Sequence, residues 1–213
     1  MLITFEGSEG SGKSTQIEML ARFLRERGHR VTTTREPGGT RIGEQVRHCL
    51  HHVDHQEMAP ASEALLYSAS RAQLVAEVIR PALADGHIVL SDRYSDSTLA
   101  YQGYGRGLDL VALETITHFA TGGLRPDLTL FLDVDVRQGL ARRNDSASEI
   151  NRMDMQTEAF YQRVRDGYLE LMRQDPARWR IVDASLPVEQ VQRLIRRVVL
   201  QQLGAEQEEG ATQ

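Results

Sequence analysis

An α/β fold with a five-stranded parallel sheet flanked by helices is predicted by two observations. Short β-like runs alternate with longer helical patterns, and a glycine-rich loop separates the first run from the first helix. The strands are expected at 2–6, 30–34, 87–91, 128–133 and 180–183, where β-branched and aliphatic residues cluster between turn signals. Helices are expected near 13–27, 40–52, 61–84, 109–121, 135–143, 155–174 and 187–202. Gly28 stops the first and Pro187 opens the last. Thr121-Gly122-Gly123 with Arg125-Pro126-Asp127 marks the turn into the fourth strand. One domain over 1–204 is expected, followed by a polar tail, 205–213, expected to be disordered.

At 213 residues, 40% of them hydrophobic, the chain supplies one full core. A net charge of -5 argues against a general nucleic-acid binder, so any positive potential must be local. Cys49 is alone, which excludes an internal disulfide. With no N-terminal signal and no long apolar span, no membrane association is expected and cytoplasmic residence is the default expectation.

The most informative segment is Gly7-Ser8-Glu9-Gly10-Ser11-Gly12-Lys13-Ser14-Thr15. Of 25 basic residues, Lys13 is the single lysine. Glycines at 7, 10 and 12 let successive backbone N–H groups converge on phosphates, at the positive N-terminal end of the following helix. In this pattern, a phosphate-binding loop, the lysine reaches the β- and γ-phosphates and the Ser14 hydroxyl binds Mg²⁺. The loop follows a strand-like run and precedes the helical pattern Ile17, Leu20, Ala21, Leu24, which is the context the motif requires. A nucleoside triphosphate is therefore the expected ligand.

Ligands of open α/β sheets bind beyond the carboxyl ends of the strands. There the chain carries Thr34-Arg35-Glu36-Pro37-Gly38-Gly39-Thr40, then Asp92-Arg93-Tyr94 and Ser97-Thr98-Leu99-Ala100-Tyr101-Gln102-Gly103. These segments, with Arg125-Pro126-Asp127-Leu128-Thr129-Leu130, resemble the signatures of bacterial thymidylate kinases, in the same order and at similar spacing. The likeness covers nearly the whole chain. It implies a P-loop kinase fold with a short lid, transfer of the ATP γ-phosphoryl group to dTMP with Mg²⁺, and a homodimer.

The resemblance also assigns roles. Lys13 and the loop residues 7–15 would hold ATP, and Ser14 and Asp92 the Mg²⁺. Arg93 would grip the acceptor phosphate near the donor, and Pro37 and Arg47 would adjoin it. Tyr67 would stack on the base, Arg71 bind a base carbonyl, Gln102 face the base edge and Tyr101 crowd the sugar 2′ position. Ser97 and the acidic loop residue Glu9 would complete the acceptor site. Taken without the family, Arg93 also reads as an ion-paired arginine, Asp92 as a cap, Arg47 as a helix-surface residue, and Tyr67 with Arg71 as an ordinary helical pair.

The stretch 142–152 resembles the family lid. Arg142, Arg143 and Arg152 are its candidates for the transferred phosphate, Arg152 ranked first. Asn151-Arg152 stands where the family usually has an aspartate-arginine pair, so the partner that orients Arg152 is in question. His48, His51, His52 and His55 fall at helical spacings, yet they are read as a helix end rather than as a metal site, because nothing indicates convergent ligands. Two other functions share the loop: a kinase for a different nucleoside monophosphate or nucleoside, and a noncatalytic nucleotide-binding switch. Tyr67, Arg71 and Gln102 are the residues those alternatives do not require.

Overall fold

The computed structural model describes residues 1–145 and 150–210, the last six of these by their backbone alone. Five parallel strands, β1 (Leu2–Glu6), β2 (Val31–Arg35), β3 (Ile88–Asp92), β4 (Leu128–Asp133) and β5 (Trp179–Asp183), form one sheet in the order β2-β3-β1-β4-β5. β1, β3 and β4 are almost wholly buried, as expected of strands covered by helices on both faces. The register places Phe5 opposite Asp92 and Leu130, so the ends of the three central strands open on one edge.

One face is covered by α1 (Lys13–Arg25) and α9 (Val188–Gly210). Ile17, Leu20, Leu24, Val191, Ile195 and Val199 pack there onto Ile3, Phe5, Leu90 and Leu130. The other face carries an aromatic core of Tyr101, Phe131, Phe160, Tyr161, Tyr168 and Trp179, largely supplied by α8 (Glu158–Gln174). Its rings meet edge-on or tilted at 5.2 to 6.4 Å. No helix among the described residues is long and apolar enough to cross a membrane.

The expected helix over 61–84 is one helical run with a defect. α3 (Pro60–Leu74) passes through a π turn, Val75–Ile79, into α4 (Arg80–Ala84). Pro81 has no N–H for the regular ladder, and the bond from Arg80 N–H to Val75 absorbs the extra residue. A second helical run was not expected: α5 (Ser95–Thr98) continues as a π segment, Leu99–Gly105. Its Ser, Thr and Gly content gives little intrinsic helicity, and tertiary packing supplies what propensity lacks. Ala100 and Tyr101 are buried among the α8 side chains, while a Cβ on Gly103 would strike Leu110 and one on Gly105 would strike Phe160.

The remaining helices are α2 (Arg41–His51), α6 (Leu110–Thr121) and α7 (Val136–Asn144), with a 3-10 turn, Arg152–Met155, before α8. Thr40, Asp109, Asp135 and Thr157 cap α2, α6, α7 and α8 through side-chain oxygens. α9 runs past position 202, where the periodicity placed its end. The expected tail is thus helical in its backbone as far as Gly210, and 211–213 lie outside the described residues.

The glycine-rich loop is seated on α7 by backbone-to-backbone contact. A Cβ on Gly10 would lie 1.9 Å from the Gly139 carbonyl oxygen, and one on Gly139 would lie 2.6 Å from that of Glu9. Gly139 needs no special backbone angle, so substitution there tests the contact alone. Gly139→Ala is expected to cost about 1–3 kcal/mol through overpacking, read as a lower urea midpoint with an unchanged slope.

Candidate active site

A cleft of about 990 Å³ opens at the carboxyl edge of the sheet. Its walls come from the loop after β1, the segments after β2 and β3, α2, α3, the π segment and the end of α7. That volume is at the upper end for small-ligand sites.

The loop folds around its lysine. Lys13 Nζ donates to the carbonyls of Gly7 (3.0 Å) and Ser8 (2.9 Å) and to Ser11 Oγ (3.1 Å), so the buried ammonium braces the curve that the glycines permit. Burial and the nearby Arg93 cation lower its pKa to about 8. Gly12 precedes α1 in the left-handed conformation. One step into the helix, Ser14 Oγ donates to Asp92 Oδ2 at 2.6 Å, which joins the loop to the end of β3. Thr15, also expected at the nucleotide, is exposed on α1 and is not among the cleft-lining residues.

After β3 the chain turns through Arg93, the only non-glycine residue with positive φ (70°) among those described. The turn is held on all sides. Arg93 N–H reaches Phe5 O (2.9 Å), Tyr94 N–H reaches Glu6 Oε1 (2.8 Å), and Ser91 Oγ donates to Arg93 O (2.7 Å). A constrained backbone of this kind aims a side chain. The guanidinium points into the cleft: Nη2 donates to Glu9 Oε1 (3.0 Å) and Tyr101 Oη (2.8 Å), while Nη1 makes longer bonds to Ser97 Oγ (3.3 Å) and Tyr168 Oη (3.2 Å). Tyr101 Oη in turn donates to Glu9 Oε2 (2.7 Å), so the acidic loop residue is held by a cation and a phenol. Behind them lies Glu6, fully buried, which accepts from Ser97 (2.6 Å) and Tyr168 (2.8 Å); burial and Asp96 raise its pKa to about 7.

The opposite wall rests on α3. Arg71 is buried and donates Nε to Glu36 Oε2 (2.8 Å), Nη1 to Thr98 Oγ1 (2.9 Å) and Nη2 to Tyr94 O (3.0 Å). Burial pushes the Glu36 carboxyl up against the pull of Arg71, and Glu36 Oε1 has no hydrogen-bond partner. Tyr67, one turn earlier, presents a half-buried ring to the cleft, and Gln102 reaches it from the π segment. Arg47 Nη1 donates to Pro37 O (2.9 Å), tying α2 to the segment after β2.

The structure thus gathers Glu9, Gly10, Lys13, Ser14, Pro37, Arg47, Tyr67, Arg71, Asp92, Arg93, Ser97, Tyr101 and Gln102 around one cleft. Arg142 and Arg143 line it as well, from the last turn of α7. Arg142 donates to the carbonyls of Ala184 (2.7 Å) and Ser185 (3.3 Å), and Arg143 forms a two-pronged pair with Asp154 (2.9 and 2.7 Å). Residues 146–149 of the expected lid lie outside the described residues.

Arg152 departs from its expected place. It is buried behind the wall, with Nη2 on Glu63 Oε2 (2.5 Å) and Nε on Leu50 O (2.9 Å), and it does not line the cleft. Once buried, the guanidinium requires a paired carboxylate, and Glu63 supplies one. With Asn at 151, the acid that orients Arg152 is Glu63. Asn151 and Asp154 form a reciprocal cap on the 3-10 turn, and Asp154 orients Arg143.

The reading from sequence missed Glu63, and it took His48, His51 and His52, which line the cleft, only as part of a helix end. Glu63 could have been found, since 63, 67 and 71 are successive i, i+4 positions on one helical face. Burial, with the cations of Arg47, Arg152 and Arg93, depresses His51 to about 3, so it is a neutral ring in the wall. His48 and His52 meet edge-on and His52 stacks on His55. Among the described residues no group of three His, Cys, Asp or Glu side chains could hold a metal ion.

Known proteins resemble this chain over most of its length. A family model described as thymidylate kinase matches residues 5–195. A thymidylate kinase of Thermomicrobium roseum is 54% identical over 189 residues, 89% of each chain. One from Roseiflexus castenholzii is 50% identical over 211 residues, 93% of this chain and 92% of that one. The crystal structure of thymidylate kinase from Ehrlichia chaffeensis superposes with a TM-score of 0.75 at 34% identity, covering 93% of this chain and 98% of that one.

Replacing Arg152 by Met leaves Glu63 with fewer donors and removes a buried pair. The expected loss is about 3 kcal/mol, the low end for breaking such pairs because Arg106 still faces Glu63, measured by urea unfolding.

Proposed function

The chain belongs to the thymidylate kinase family and is an enzyme that phosphorylates dTMP, and we propose that ATP is the donor and that the two nucleotides meet end to end in this cleft. The observation that carries the proposal is the position of Arg93, fixed by a strained backbone between the phosphate loop and the α3 wall. An acceptor phosphate there would face a γ-phosphate held by the loop. A phosphate oxygen of dTMP would form the new P–O bond while the bond from the γ-phosphorus to its bridging oxygen breaks, and ADP would leave with that electron pair. The nucleophile is already an anion, so alignment and charge neutralisation suffice without a strong base.

Ser14 and Asp92 suit Mg²⁺: a hydroxyl and a carboxylate, both hard oxygen donors, meet where the loop joins β3. When bound, the ion would neutralise charge on the phosphate oxygens. Lys13 would follow the β- and γ-phosphates, exchanging the loop oxygens for them. Arg142 and Arg143 would approach the same phosphates from α7 and help exclude water.

On the acceptor side, the two long bonds of Arg93 Nη1, to Ser97 and Tyr168, are the ones a phosphate would displace. Arg47 and the Pro37 segment would close the far side of that phosphate. Glu9, held by Arg93 and Tyr101, would accept from the sugar 3′-hydroxyl, and the Tyr101 ring would crowd a 2′ substituent. Tyr67 would stack on the base while Arg71 donates to a base carbonyl. Homodimerisation and cytoplasmic residence belong to the same proposal. Leu65 of α3 with Val111 and Phe119 of α6 is a largely exposed apolar set that a second copy would cover.

Arg93→Ala is expected to lower kcat for dTMP by about 10²- to 10³-fold, and Arg93→Lys to recover little of it, because an ammonium lacks the fork. Coupled measurement of ADP release checks both. Lys13 titrates near pH 8 in the free protein, and phosphates would raise that value. Above pH 8, ATP binding is therefore expected to take up a proton and to weaken as pH rises, which calorimetry in buffers of different ionisation enthalpy measures.

A further inference from the structure

We infer that Glu63, which does not touch the cleft, fixes the orientation of the Gln102 amide and so makes the site choose bases with an N–H beside a carbonyl, thymine over cytosine. The inference deepens the function proposed above and rests on it. Glu63 is 1% exposed and sits behind the wall on α3. Four donors from three residues converge on it. Oε1 accepts from Gln102 Nε2 (2.8 Å) and Arg106 Nε (3.2 Å), and Oε2 from Arg106 Nη2 (3.0 Å) and Arg152 Nη2 (2.5 Å). Burial favours the acid form, but the bonds from Arg106, Gln102 and Arg152 outweigh it and hold the group below the usual carboxylate range. An ionised carboxylate only accepts hydrogen bonds, and its four places are taken.

This settles which end of the Gln102 amide faces the ligand. Turned over, the amide would set its carbonyl oxygen against a carboxylate oxygen. With Nε2 committed, Oε1 is left to the cleft, and among the described residues no donor reaches it. Arg71 Nη1 spends one of its two N–H groups on Thr98 and retains the other. The wall therefore offers an acceptor from Gln102 and a donor from Arg71. Thymine complements that pair with N3–H and O4. Cytosine presents the reverse, N3 as acceptor and the 4-amino group as donor, so both groups of the wall would face their own kind.

Glu63→Gln keeps the shape but supplies an amide that can donate or accept, which frees Gln102 to turn. The ratio of kcat/KM for dTMP to that for dCMP is expected to fall about tenfold or more, mainly through a higher KM for dTMP. Arg106→Gln loosens the same cluster while sparing the carboxylate, and the ratio is expected to hold. An unchanged ratio in active Glu63→Gln, or an equal fall in Arg106→Gln, overturns the proposal. A second measurement uses the unaltered protein, should Glu63→Gln fail to fold. On adding dTMP, the Gln102 side-chain carbonyl carbon is expected to shift in NMR while its side-chain nitrogen stays nearly constant, and the opposite pattern overturns the proposal. Failure of the unaltered protein to phosphorylate dTMP removes the reading of the site itself, and with it this one.

Discussion

Positive charges brought together to receive anions repel one another before any anion arrives, and most of this structure is arranged around that repulsion. Lys13, Arg47, Arg71, Arg93, Arg142 and Arg143 all border one cleft. The offsetting carboxylates stand beside or behind them: Glu9 for Arg93, Glu36 for Arg71 and Asp154 for Arg143. Such pairs return little net stability once desolvation is counted. Their contribution is to keep guanidinium groups pointed in a fixed direction.

The same arrangement accounts for the order of layers around the sheet. The face packed mainly with apolar side chains, under α1 and α9, carries none of the cleft beyond the start of α1. The other face mixes aromatic rings with buried hydroxyls, and the phenols of Tyr101 and Tyr168 tie that core to Arg93. Packing and positioning are therefore one network on the functional side. Core residues there affect geometry at the cleft as well as stability.

The sheet, its strand ends and the phosphate loop were legible because each has a local signature: β-branched runs, punctuating glycines and one lysine in a fixed context. The phosphate loop was legible from its motif, while Arg47, Tyr67, Arg71 and Gln102 were legible only through the family likeness. What escaped was set by tertiary contact. The helical run from Ser95 to Gly105 depends on packing against α8, which no propensity of Ser, Thr or Gly announces. Arg152 was placed at the transferred phosphate through the likeness of 142–152 to the family lid, with its orienting partner left open. Its partner Glu63 lies 89 positions away, a distance across which spacing carries no information. Pro81, by contrast, was in view, and it accounts for the π turn that divides the long helix.

Because Lys13 is the chain's one lysine and is shifted toward neutrality by burial and Arg93, the protein holds a single side-chain primary amine, and it sits in the phosphate-loop cradle. Reagents that acylate amines thus meet a target whose accessibility is the conformation of the cradle. The rate of covalent tagging becomes a clock for how often those glycine-hinged residues open.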